Sequence, residues 1–219
     1  MEAGRLRMST LTSAAATIMP LAIANFRERL PGVELSVAMI DPSGVLPLLR
    51  SGELDLAVCN DQDLFSLPEI EGVHLFDEPM LLALPRDHRL AQRKRIALSE
   101  LADEQWMLGT TTACPDAGRF IRACHGAGFE PQIAFHNDDY TAILGFVSAG
   151  VGVAPVPEMV ARGAPRAVHI CTFGPGGLTR PIVAALPAGY RPRPAAAMIE
   201  VLHEVSERWT RAAGELAVA

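Results

Sequence analysis

Within the first sixty residues the spacing of apolar side chains switches between a period of two and a helical period four times. Few folds accommodate that over such short connections. Leu6 and Met8 alternate with Arg5 and Arg7, which predicts a strand with one buried face. Thr12 or Ser13 is then placed to cap a helix running to about Leu30, with Ile18, Leu21, Ala22 and Phe26 on its apolar side. Pro20 should kink that helix or mark a second start, and Pro31-Gly32 ends it. Val33, Leu35, Val37 and Met39 alternate as a second strand. Asp41-Pro42-Ser43-Gly44 makes a turn in which Asp41 or Ser43 can cap the next helix. Gly52 suits the left-handed stop of that helix, and Leu54 to Cys59 reads as a buried third strand. Nearly continuous apolar strands joined by helices predict a parallel sheet with helices on its faces. Ligands of such sheets sit beyond the carboxyl ends of the strands. Here those ends carry Ser9 to Ser13, Asp41 to Ser43, and Asn60-Asp61, all polar.

A second α/β alternation follows. Residues 60–72 read as loop, and an extended segment from Val73 to Leu84 is expected to break at Asp77-Glu78-Pro79. The charged stretch from Arg86 to Arg95 is expected as an exposed connection. Ser99 can cap a short helix, and Trp106 to Gly109 is a strand opening into Thr110-Thr111-Thr112-Ala113-Cys114-Pro115, a second hydroxyl-rich turn. A helix from about Asp116, a strand at Gln132–His136, and a helix from Asp139 to Ala149 capped by Asp138 or Asp139 come next. After a short strand at 151–155, an extended segment at 166–173 and a strand at 181–186, an amphipathic helix closes the chain. Its stripe is Met198, Val201, Leu202, Val205 and Trp209.

Bulk properties exclude several classes. A net charge of −6 gives no basic face for nucleic acid. Cys59, Cys114, Cys124 and Cys171 are scattered without a C-x-x-C pair, and read as reduced, mostly buried core residues of a cytoplasmic protein. The uncharged run after Met8 resembles an export signal, but Ser9, Thr10, Thr12, Ser13 and Thr17 dilute it and Pro20 interrupts it. Gly150-x-Gly152 is no dinucleotide fingerprint, because a helix precedes it and Pro155 and Pro157 follow. Ser9 to Ser13 with His136 or His169 could in principle form a nucleophile and base. No nucleophile elbow, metalloprotease motif or carboxylate pair accompanies them, and the expectation is a protein that is not an enzyme and needs no cofactor or metal.

The order of these pieces resembles the effector-binding (regulatory) domain of LysR-type transcriptional regulators across essentially the whole chain. The resemblance is carried by Leu6-Arg7-Met8 and its hydroxyl turn, and by Pro20, Phe26 and Pro31-Gly32-Val33-Glu34-Leu35. The set continues with Leu49-Arg50-Ser51-Gly52-Glu53-Leu54-Asp55-Leu56-Ala57-Val58, Asp87-His88-Arg89-Leu90-Ala91 and Val147 to Pro157. By their chemistry these residues make the fold and need bind nothing.

The resemblance implies an α/β fold of two Rossmann-like subdomains of the type II periplasmic-binding-protein kind, joined by two crossover strands. Subdomain I would be residues 1–76 with 180–219, and subdomain II residues 77–179. An effector, a small polar metabolite, would lie in the cleft between them. The contacts it implies are Thr12, Ser13 and Asp41 in the first subdomain, and Thr110, Thr111, Thr112, Asp139 and Thr141 in the second. Asp41 reads first as a helix cap; as a pocket residue it would repel dianions and favour an amine or amphoteric ligand. The resemblance further implies a homodimer, or a tetramer in a full-length protein, with the helix at 14–30 against a partner's helix at 116–127. Ile18, Ala22, Phe120 and Cys124 would be divided between core and interface. DNA would be bound only through a winged helix-turn-helix absent from this chain, and no membrane is involved. A free-standing solute-binding protein of the same fold is the rival reading.

Overall fold

The computed structural model describes residues 4–40, 42–110, 115–174 and 176–218, without the side chains of residues 62 and 213–218. The chain divides into two compact units, Met1–Asp77 with Pro181–Ala219, and Glu78–Arg180. Two of the expected site turns, at Asp41 and at Thr111 and Thr112, lie outside the described residues.

In the first unit, β1 (Arg5–Thr10) leads into α1 (Thr12–Ala15) and α2 (Ile18–Arg29). β2 (Glu34–Met39), α3 (Pro42–Arg50) and β3 (Leu56–Cys59) follow. β1 pairs in parallel with both β2 and β3, with Thr10 opposite Met39 and Val58, so the three carboxyl ends are adjacent. The expected single helix after β1 is two helices. Its start is capped by neither hydroxyl, because Leu11 is the N-cap and makes no side-chain bond. The break falls at Ala16-Thr17, and Pro20 sits in the first turn of α2, where its missing N–H costs no helical bond. Gly52 stops α3 at φ 71°, while Gly52, Glu53 and Leu54 return N–H groups to Leu49 and Leu48 carbonyls. Arg7, on the polar side of β1, grips the buried Asp55 with its backbone N–H at 2.8 Å and its guanidinium at 3.1 and 2.9 Å. That bond ties β1 to the start of β3.

α4 (Gln62–Phe65) occupies part of the stretch expected as loop, capped by Asp61 on the Asp63 N–H. β4 (Ile70–Pro85) then runs sixteen residues without the expected break. Pro79 is exposed, and Met80 resumes hydrogen bonding to the Leu178 carbonyl at 2.8 Å.

The second unit holds β5 (Arg95–Ile96), a 3₁₀ turn at Leu98–Leu101, β6 (Gln105–Leu108), α5 (Pro115–Gly126), β7 (Gln132–His136) and α6 (Tyr140–Ser148). β8 (Ala154–Pro157), α7 (Glu158–Ala161) and β9 (Val168–Phe173) complete it. The 3₁₀ turn is closed by Glu100 accepting the Ala97 N–H, rather than by Ser99. β6 and β7 are parallel. Trp106 is the centre of the unit's core, packed on Phe120 of α5 at a ring separation of 4.5 Å, with Phe120 in turn 6.3 Å from Phe173. β10 (Thr179–Pro187) carries the chain back to the first unit and pairs antiparallel with β3, Val183 opposite Cys59. α8 (Arg193–Val218) ends the chain. Its expected stripe is buried at Met198, Val201, Leu202 and Val205, with Trp209 half-buried.

Candidate functional site

In the first unit the parallel sheet delivers polar side chains to one end. Ser9, Thr10, Ser13 and Asn60 are all buried there, whereas Thr12 is exposed on the first turn of α1. Ser9 Oγ is buried and has no hydrogen-bond partner among the described residues. Such a group costs about 1–3 kcal/mol, and its retention wants an explanation other than packing. Sequence reading placed Ser9 in the turn but chose Thr12 and Ser13 as contacts. Strand alternation gave no signal that the hydroxyls at 9 and 10 would both be enclosed.

In the second unit the ends of β6 and β7 are stitched together. Asp138 accepts the Thr110 N–H at 2.8 Å and the Thr110 hydroxyl at 3.0 Å, and the Asn137 N–H bonds the Leu108 carbonyl. Asp139 is the N-cap of α6, as the sequence allowed, with its carboxylate 2.8 Å from the Thr141 N–H. Thr110, Asp139 and Thr141 are therefore brought together, with Asp138 as a fourth member.

The group that sequence reading missed is an ion network in the same unit. Arg180, 2% exposed, donates to Glu78 from Nε at 2.8 Å and to Asp116 from Nη1 at 2.7 Å. Glu78 also accepts the Met159 N–H at 2.6 Å, and Asp116 accepts from Arg119 at 3.0 Å. Two cations face two anions, so the buried charges balance. Burial pulls the Arg180 guanidinium toward losing its proton, but Asp116 and Glu78 more than offset that and hold it above its ordinary value. Burial raises the Glu78 carboxyl, against the pull of Arg180 and the Met159 N–H. One signal for this network was present in the sequence. Glu78 and Arg180 each stand directly before a proline, which holds the preceding residue extended.

Cys59, Cys124 and Cys171 are buried as expected, and burial pushes their thiols up to about 12, about 12 and about 11. They are poor thiolates and poor redox sensors; Cys114 lies outside the described residues. Among the described residues no three His, Cys, Asp or Glu side chains gather as a metal site, and no helix is long and apolar enough to cross a membrane.

One interface expectation fails. Ile18, Ala22, Phe120 and Cys124 are all at most 1% exposed within a single chain, so none is left to meet a partner. The outward face of α2 instead shows Leu21, and the strands β2 and β7 show Val37, Met39 and Phe135.

Parallel strands whose carboxyl ends carry polar side chains, buried in the first unit and exposed or half-buried in the second, suit an α/β protein to small-molecule binding. The chain belongs to the LysR substrate-binding domain family, whose model matches residues 1–207. It is 30% identical over 220 residues to the HTH-type transcriptional regulator TtuA of Agrobacterium vitis, covering 97% of this chain and 71% of that one. It is 29% identical over 158 residues to the HTH-type transcriptional regulator AlsR of Bacillus subtilis, covering 72% of this chain and 52% of the relative. The chain thus spans only about half of some curated relatives. Among solved structures, the BenM effector-binding domain with benzoate superposes with a TM-score of 0.84 at 19% identity, over 94% of each chain. The C-terminal domain of a probable LysR family regulator from Rhodococcus sp. RHA1 gives 0.80 at 23%, over 92% of this chain and 99% of that one. The fold is that of the type II periplasmic-binding-protein kind, and the domain is a ligand sensor rather than an enzyme.

Proposed function

We propose that this chain is the effector-sensing part of a LysR-type DNA-binding transcriptional regulator, acting in the cytoplasm. Its two units would be effector-binding subdomains I and II. DNA would be contacted through an N-terminal domain outside this chain. The effector is a small polar metabolite held by Thr12, Ser13 and Asp41 of the first unit and by Thr110, Thr111, Thr112, Asp139 and Thr141 of the second. The observation that carries this reading is the enclosed polar end of β1 and β3, where Ser9 Oγ has no partner among the described residues. The acids of the second unit, Asp138 and Asp139, support an amphoteric ligand such as an amino acid over a dianion. Binding would shift the balance between two arrangements of the regulator and so control transcription.

A thermal-shift screen of monocarboxylates, dicarboxylates, amines and amino acids tests this. A ligand at a hundred times its Kd should raise Tm by roughly 5–10 °C, with amino acids ahead of dicarboxylates. Ser13→Ala should remove most of that rise. Dicarboxylates giving the largest shift would overturn the ligand class, and no shift from any class would count against ligand sensing itself.

We further propose a homodimer, with a tetramer for a full-length regulator. The support is the exposed apolar edge of β2, where Val37 is 37% and Met39 68% exposed, and Phe135 of β7 at 40%. A strand edge carrying apolar side chains is a surface that calls for cover. Met39→Glu should shift sedimentation toward the monomer by at least tenfold in dissociation constant, since each copy loses a buried apolar contact. A parent protein that sediments as a monomer at high concentration would refute the dimer.

A further inference from the structure

The network around Arg180 joins places far apart in the chain. Glu78 and Arg180 are the first and last residues of the second unit, so their pair closes the unit where the chain enters and leaves it. Asp116 is the second residue of α5, the helix that follows the hydroxyl-rich sequence of residues 110–114. Met159, held by Glu78 through its N–H, is the second residue of α7. A guanidinium fork can hold two carboxylates in fixed directions at once, which a lysine ammonium on a single flexible stem does not reproduce.

We propose that Arg180 is a positioning residue that couples the start of α5 to the strands β4 and β10, so that displacement of α5 is felt at the first and last residues of the second unit. Arg180 bonds both Asp116 and Glu78, and Glu78 in turn accepts the Met159 N–H, so a chain of bonds runs from Asp116 through Arg180 to Met159. Arg119 holds the other Asp116 oxygen, which fixes the carboxylate's orientation toward Arg180. The role deepens the ligand-sensing reading, because the helix concerned follows the turn proposed to meet the effector.

Amide hydrogen exchange on the whole chain tests the coupling without any ligand, so its failure and that of the sensing reading can be told apart. Asp116→Ala should speed exchange along residues 119–124 of α5 by roughly a hundredfold, the scale of a broken buried ion pair. It should also speed the Met159 amide by roughly tenfold, within the range of coupling between residues of one network. Asp116→Asn, which keeps an acceptor for Arg180, should restore most of the parent behaviour at both places. The amides of Met107 and Val153, bonded to Val153 and Gln105 carbonyls, should stay at parent rates and report general loosening. In an Arg180→Met background, or Arg180→Lys if that variant does not fold, Asp116→Ala should leave Met159 where the first change alone put it. An unchanged Met159 amide in Asp116→Ala, equal acceleration at Met107 and Val153, or the same effect with Arg180 replaced would each overturn the proposal.

Discussion

Arg180→Met is expected to lower unfolding stability by about 3–5 kcal/mol, the range for removing one partner from a buried ion pair. Methionine fills much of the volume, so the loss is electrostatic: Glu78 is fully buried and Asp116 nearly so, and both lose the guanidinium that pairs them. The pH dependence gives the effect a second signature. Burial already holds the Glu78 carboxyl above its ordinary value, and removing the guanidinium raises it further. The folded state then binds more protons than the unfolded one between the ordinary carboxylate value and the raised value, so stability falls as pH rises through that window. The deficit of the variant should accordingly be greatest near neutral pH and shrink on acidification, measured by urea unfolding at several pH values. Adding Glu78→Gln should recover part of the loss, because the uncompensated charge is gone while the Met159 N–H keeps an oxygen acceptor. A deficit independent of pH, or one that Glu78→Gln does not relieve, would show that packing rather than charge dominates.

Gly152→Ala is expected to cost about 3 kcal/mol, at the upper end for overpacking a core. A Cβ at this position would lie 2.3 Å from the Gln105 carbonyl oxygen, and a backbone atom inside a strand cannot step aside. The same close approach lets the Val153 N–H reach Gln105 O at 2.8 Å and the Met107 N–H reach Val153 O at 2.9 Å. Gly150, two residues earlier, differs in kind. It has φ 76° and open space around its Cβ position, so Gly150→Ala should cost only about 1–2 kcal/mol from left-handed strain. Urea midpoints of the two variants measure the contrast, and equal losses would contradict it.

Both glycines were read from the sequence only as fold-making residues, which does not separate the left-handed Gly150 from the close approach at Gly152. That difference is typical of what was legible. Periodicity located β1, β2, β3 and α8 because each has one face in a core and one in water, and that is the property periodicity measures. Asp139 was legible as a cap because it stands immediately before an apolar helical run and can be paired only locally. α4 and α7 were not, being four residues each and too short to show a period. The break expected at Glu78-Pro79 and the helix cap expected of Thr12 or Ser13 failed for a common reason. Local chemistry permitted them, and partners distant in sequence decided otherwise: Arg180 holds Glu78 inside a continuous strand, and Ser13 is enclosed at the end of the sheet. For the site, the hydroxyl turns were visible as composition. The pairing of Thr110 with Asp138 and the burial of Ser9 depend on which strands lie side by side, and that the local sequence does not contain.

The discontinuity of the first unit bears on how the chain is made. The Glu78–Arg180 unit is contiguous, and its partners have all been synthesised once residue 180 has left the ribosome. The first unit is translated earlier yet stays incomplete for longer. β3, paired with β1 on one side, lacks its second neighbour until Val183 to Ala185 arrive, and α2 waits for α8. Until then an apolar strand and an apolar helix face are open to solvent, separated by more than a hundred residues from the segments that cover them. The unit whose segments are complete first is thus the one that emerges second, and the nascent chain's exposure to misassociation lies with the part that emerges first.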